Sequence, residues 1–280
     1  MTTSSKLARF SVLFGILFVP AVAGCDEGQT AQSPRILELP KNLREISGLT
    51  TADGYLFAIA DEVGQVYRID YDAARIKRWL TFGQPAVAGD FEGLALADKA
   101  LYATTSEGVL YRSESIGAAQ ASDYQRFDTG VGKLCEVEGL TASPDEKHLW
   151  LLCKTPAAKR DHDTLFLYAW SVANQSRLPA ADIRVGYADF PGADQDKKVR
   201  LYPSAVGVVD NTELWVLAAR NKMLLKLTID GTPLALQRLP DRKNQPQAEG
   251  FVALPGAVYI ANEAGKKGKR GTLLEYQGRL

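Results

Sequence analysis

Five copies of one short motif constrain this chain more than any other feature. They read Glu45-Ile46-Ser47-Gly48-Leu49, Asp90-Phe91-Glu92-Gly93-Leu94 and Glu136-Val137-Glu138-Gly139-Leu140. A looser copy is Tyr202-Pro203-Ser204-Ala205-Val206, and the last is Gln247-Ala248-Glu249-Gly250-Phe251. The central residues Ser47, Glu92, Glu138, Ser204 and Glu249 are separated by 45, 46, 66 and 45 residues. A repeat of that period marks a propeller or a solenoid.

Between the copies lie short β-rich runs split by Gly, Asp and Pro, the spacing of an all-β fold. In the first unit these runs are 46–50, 55–60, 65–70 and 76–82, and the next three units follow the same plan. The last unit has runs at 250–254, 258–262 and 272–276 and then ends, one strand short. Residues 33–39 are the expected donor of that strand. A ring closed by strands from both termini leaves no free sheet edge. The reading is therefore a five-bladed β-propeller over 34–280, expected as a monomer. A six-bladed ring is the alternative. It needs two blades inside the 66-residue interval, where only four strands are read.

Residues 1–24 read as a processing signal. Lys6 and Arg9 form a basic start, and an apolar run over 10–19 leads to Val22-Ala23-Gly24-Cys25. The run is too short for a stable membrane span and ends in small residues, as a secretory signal does. Small residues directly before a cysteine resemble a bacterial lipobox. That resemblance implies cleavage before Cys25 and lipid on its thiol. An ordinary signal peptide or an anchor helix is the alternative. Lipidation would hold the protein to a membrane, on the periplasmic or cell-surface side, without spanning it. Residues 25–33 are small and polar and read as a flexible tether. In an exported chain Cys135 and Cys153, roughly opposite on adjacent strands of the third unit, are a candidate disulfide. Two small buried thiols are the alternative. Thirty-three basic residues balance thirty-three acidic ones, so the chain lacks the basic excess that a nucleic-acid partner requires.

In a propeller the first strand of each blade is innermost, so the five central motif residues form a ring about one axis. Two residues upstream sit Glu45, Asp90, Glu136, Tyr202 and Gln247, a second and partly acidic ring by the two-residue period of a strand. Carboxylates gathered that closely must protonate or find a cation. Ca2+ takes oxygen ligands of these kinds. Zinc is disfavoured, because the sequence holds no His or Cys cluster. The plainer alternative is that each Glu caps loop amides while the Gly permits close blade packing. Loops on the same face would bring Asp61, Glu62, Lys154, Arg220 and Glu263 around the mouth. There Lys154 and Arg220 could hold a phosphate or carboxylate ligand beside the cation. No nucleophile elbow, phosphate-cradling Gly-rich loop or Cys-His pairing is present, and the catalytic residues of any activity stay unassigned.

The order Ser47, Glu92, Glu138, Ser204, Glu249 resembles the central calcium site of the five-bladed calcium-activated nucleotidases (apyrases). That resemblance implies those five residues as ligands. It does not extend to the aromatic and basic residues with which apyrases contact nucleotide. Over nearly the whole mature chain the sequence is similar to the SdiA-regulated propeller family. The motifs at Ser47, Asp90 and Gln247 carry this likeness, together with Tyr259-Ile260-Ala261-Asn262-Glu263. The expectation is a lipid-anchored, calcium-binding propeller that binds a small molecule or protein, or hydrolyses a substrate. A calcium-dependent phosphate-ester hydrolase is the alternative.

Overall fold

Each motif opens the innermost strand of a four-stranded antiparallel blade. The computed structural model describes residues 1, 33–114, 121–193, 199–240, 243–265, 270–278 and 280. The signal segment after Met1, the tether up to residue 32 and the lipidation candidate Cys25 lie outside the described residues. Ser33–Leu280 is a five-bladed β-propeller, and no α-helix occurs among the described residues.

Blade 1 runs outward through Ile46–Ala52, Tyr55–Ala60, Gln65–Asp70 and Arg75–Phe82. Blade 2 uses Phe91–Ala97, Ala100–Thr105, Val109–Ser113 and Gln125–Asp128. Blade 3 uses Cys135–Ala142, His148–Pro156 and Thr164–Ser171; Ser176–Arg177 and Ile183–Gly186 both pair with the last of these. Blade 4 is Ala205–Val209, Glu213–Ala218, Met223–Thr228 and Pro233–Arg238. Blade 5 has Ala248–Leu254, Ala257–Asn262 and Thr272–Gln277. Its fourth strand, Arg35–Glu38, comes from the other end of the chain, in register Arg35 to Glu275 and Glu38 to Thr272. This pairing completes the last blade with a strand from the other terminus and so closes the ring. One crossing was not anticipated: Ala121–Ser122, ahead of the last strand of blade 2, pairs in parallel with the outer edge of blade 1 at Thr81 and Phe82.

Five apolar clusters hold the blades together. Phe57, Ile59, Phe82, Phe91 and Leu94 fill the space between blades 1 and 2. Equivalent layers follow around the ring, ending with Leu49, Ala58, Tyr259 and Leu273 between blades 5 and 1. At the axis the motif glycines set the approach of neighbouring inner strands. A Cβ on Gly48 would lie 2.9 Å from the Leu94 amide, and one on Gly93 would lie 2.5 Å from that of Leu140. On Gly250 it would meet Leu49 at 3.0 Å. A disulfide joins Cys135 to Cys153, with Cα atoms 5.7 Å apart.

Candidate functional site

A β-bulge puts the central motif residue at the axis. Ile46 pairs with Ala60 and Gly48 with Ile59, leaving Ser47 as the extra residue of the inner strand. The same skip occurs at Glu92, Glu138 and Glu249. In blade 4, Ala205 pairs with Leu217, and the Ser204 N–H donates to that same Leu217 carbonyl at 2.8 Å. An extra residue interrupts side-chain alternation and re-aims its own side chain. The upstream residues lie closer to solvent, and Glu45 and Glu136 keep 40% and 49% of their side chains exposed. Glu136 still shares the Lys154 ammonium with Glu138, and Asp90 acts on both Glu92 and Glu138.

Ser47, Glu92 and Glu249 line one narrow cavity together with Gly48, Gly93, Gly139 and Gly250. Its free volume of about 10 Å³ lies far below the ~300–1,000 Å³ of pockets that take organic ligands. That is the space of about one ion or one water. Glu138 is 5% exposed and Ser47 2% exposed. Three oxygens of this ring, Ser47 Oγ, Glu138 Oε2 and Glu249 Oε2, are buried without a hydrogen-bond partner. Ser204 differs, since its hydroxyl donates to the Ala248 carbonyl at 2.7 Å and accepts the Ala219 N–H at 3.1 Å. Asn262, at the end of the second strand of blade 5, is fully buried with its amide oxygen and nitrogen both unpartnered. Among the described residues the His, Cys, Asp and Glu side chains do not draw three together into a closed coordination cluster.

The electrostatics follow from burial and like charge. Desolvation first, then Glu138 and Asp90, push Glu92 far above the usual carboxylate range. Desolvation, Glu138 and Glu263 do the same to Glu249. Glu138 is raised by desolvation despite its one cationic neighbour, Lys154, whose ammonium donates to Glu138 Oε1 and lies 3.6 Å from Glu136. Burial alone would lower the Lys154 pKa; the two glutamates override it and hold it up.

The rim above the channel is built by backbone hydrogen bonds that step from blade to blade. The Asp61 N–H donates to the Glu45 carbonyl, and the Asp61 carbonyl accepts the Phe91 N–H. Ser106 repeats both bonds with Asp90 and Val137, and the Glu263 N–H donates to the Gln247 carbonyl. Asp61 and Glu263 thus stand at equivalent positions. Desolvation, then Glu45, raises Asp61 to about 6. Desolvation, then Asp61 and Glu45, raises Glu263 to about 7. Glu62 is exposed beside them.

Of the two basic groups expected to face a ligand, Lys154 is turned onto Glu138 and Glu136. Arg220 is exposed, its guanidinium 4.4 Å from the centre of the Tyr202 ring. Asn262 falls in the last motif stretch beside Glu263, and what the sequence does not show is its full burial. One residue of this face escaped the sequence reading. Arg200 stands outside every motif, and its relation to Tyr202 and Asn221 depends on the folded turn.

The chain is similar to glutaminyl cyclase of Myxococcus xanthus, with 15% identity and a TM-score of 0.59 over 88% of this chain and 95% of that one. A luciferin-regenerating enzyme shares 10% identity at a TM-score of 0.51, over 88% and 95%. The PQQ-bound aldose sugar dehydrogenase of Streptomyces coelicolor shares 11% at 0.51, over 87% and 98%. No protein-family model and no curated protein matches the sequence. These structural neighbours are β-propeller enzymes, and at such identities the likeness establishes the β-propeller fold of this chain.

Proposed function

We propose that this protein is a calcium-binding propeller of the SdiA-regulated type, held to a membrane by lipid on Cys25, whose upper face binds a ligand in an extracytoplasmic space. The observation that carries this reading is the trio of buried, unpartnered oxygens at the axis. Burying such atoms without a partner is costly, and a hard cation is the partner their chemistry suits. Ser47, Glu92, Glu138 and Glu249 would hold the ion, and Ser204 retains one lone pair toward it. Bound calcium would supply positive charge that ionises the raised carboxylates and ties the inner strands of separate blades to one point. Lys154 then balances Glu138 and Glu136, while the carboxylates of Asp61 and Glu263 shape the field at the mouth. The narrow cavity leaves an organic ligand on the rim. The Cys135–Cys153 disulfide fits an oxidising compartment.

Isothermal titration of the full chain with calcium tests the centre. One site is expected, with affinity lowered at least about tenfold in Glu249→Gln, the loss of about 1.4 kcal/mol. Absence of calcium uptake by the wild type would overturn the reading. Turnover of phosphate esters that Glu92→Gln abolishes while calcium still binds would make the protein a hydrolase. Mass spectrometry of the expressed protein checks the anchor: a diacylglycerol-sized mass is expected on Cys25 and lost in Cys25→Ser.

A further inference from the structure

The upper face is not uniformly acidic. Around blades 5, 1, 2 and 3 the rim carries Glu263, Glu45, Asp61, Asp90 and Glu136. Blade 4 instead presents Arg200, Arg220 and Lys222. The Lys222 ammonium is engaged, donating to the Gln245 and Pro246 carbonyls across to blade 5. The two arginines are exposed, and their guanidinium carbons lie 4.8 and 4.4 Å from the centre of one ring, that of Tyr202.

Other arginines of this protein also lie over rings, but most end on a carboxylate. Arg35 reaches Asp72, Arg112 reaches Glu114, Arg177 reaches Asp182 and Arg184 reaches Asp161. Among the described residues Arg200 and Arg220 have no such partner, as is also true of Arg68, which is held between Tyr55 and Trp79. The blade 4 pair is distinct because two like charges converge on the same ring. Both are exposed to water, which keeps their mutual repulsion weak, and an anion bound beside the ring would be attracted by both.

The arrangement is held from below. The Tyr202 N–H donates to Asn221 Oδ1 at 2.9 Å, and Asn221 Nδ2 donates to the Arg200 carbonyl at 3.1 Å. One amide side chain therefore fastens the segment carrying Arg200 and Tyr202 to the turn carrying Arg220. The same turn is keyed to the channel, because the Ala219 N–H donates to Ser204 Oγ. Guanidinium forks match the geometry of phosphate and carboxylate oxygens, and a fork fixed against a ring loses less freedom on binding.

We propose that Arg200 and Arg220, set on Tyr202, form an oxyanion clamp on the blade 4 rim that takes the phosphate or carboxylate end of a small ligand. This rests on the ligand-binding reading of the upper face, and it assigns that ligand its chemical class. Substituents beyond the oxyanion would extend over the channel mouth toward Asp61 and Glu263.

Phenyl phosphate and benzoate are suitable probes, titrated by calorimetry into the full chain with calcium and, separately, with a chelator. Saturable binding of at least one probe is expected in the millimolar range. Arg220→Gln and Arg200→Gln should each weaken it about fivefold, and the double variant should abolish it. The double variant should keep the wild-type melting temperature and calcium uptake. A preference between the probes assigns the oxyanion as phosphate or carboxylate. Failure of the wild type to bind either probe, or equal binding by the double variant, overturns the clamp. If calcium does not bind but the probes do, and the double variant loses them, the clamp stands while the calcium centre falls. If calcium binds and neither probe does, the clamp alone falls.

Discussion

Lys154 sets how much negative charge the channel tolerates, because it is the cation paired with the buried Glu138. Removing one member of a buried pair leaves the other uncompensated, a change that typically costs ~3–5 kcal/mol. Lys154 keeps 31% of its side chain exposed, so Lys154→Met should lose less, about 2–3 kcal/mol in a chelator. Calcium should bind that variant more tightly than wild type, because the ion no longer competes with the ammonium. Denaturant unfolding with and without calcium checks both effects, and unchanged stability in the chelator would show that Glu138 does not depend on Lys154. The glutamates of the ring were legible because they recur at blade spacing. The partner of Lys154 was not. Sequence order places Lys154 at the end of a strand with its charge toward the mouth; in the fold its long stem bends back to the nearest uncompensated carboxylates. Arg200 was hidden for a similar reason, since Asn221, which fastens it, lies 21 residues further along the chain.

Inner strands meet so closely at the axis that a single methyl group distinguishes their motif glycines. On Gly93 the added Cβ would lie 2.5 Å from the Leu140 amide nitrogen and 2.9 Å from the Gly139 carbonyl carbon, both backbone. On Gly139 its nearest neighbours are side-chain carbons of Leu152 and Val206, at 3.2 to 3.4 Å. Side chains can yield by a few tenths of an ångström where a neighbouring backbone cannot. Gly93→Ala should therefore destabilise by about 2–3 kcal/mol and Gly139→Ala by under about 1 kcal/mol. Equal losses in thermal melting would refute a backbone contact as the reason for Gly93. Strand order and blade number were readable because each strand obeys local pattern and turn chemistry. The bulges were not readable, since a skipped residue is a property of two strands together. Nor was the parallel pairing of Ala121–Ser122 with Thr81 and Phe82, which joins elements forty residues apart. In blade 3 a turn at Pro179–Ala181 divides the outer position between two short strands, Ser176–Arg177 and Ile183–Gly186, which a four-strand plan does not foresee.

Closure by Arg35–Glu38 makes the ring one mechanical unit, so protons taken up at the axis are felt by the whole fold. Asp61 at about 6 and Glu263 at about 7, with Glu92, Glu138 and Glu249 also raised, all bind protons more tightly folded than unfolded. Below the ordinary carboxylate range both states are protonated and the native advantage is fully present. As pH rises, the unfolded chain ionises first and gains relative to the native state, until the native groups release their protons in turn. In a chelator, stability should therefore decline between about pH 4.5 and 7 and beyond. Calcium reverses the sign, because its ligands must be deprotonated and binding releases those protons. The rise in melting temperature from calcium should grow from pH 5 to pH 8. About 2–3 kcal/mol at pH 8 would appear as roughly 4–6 °C in a chain of this size. A calcium increment independent of pH, or chelated protein that gains stability from pH 5 to 8, would place the ion away from these carboxylates. The inversion separates a metal centre from a merely acidic channel. Without an ion the ring is most at ease when protonated, and with one it is most at ease when charged.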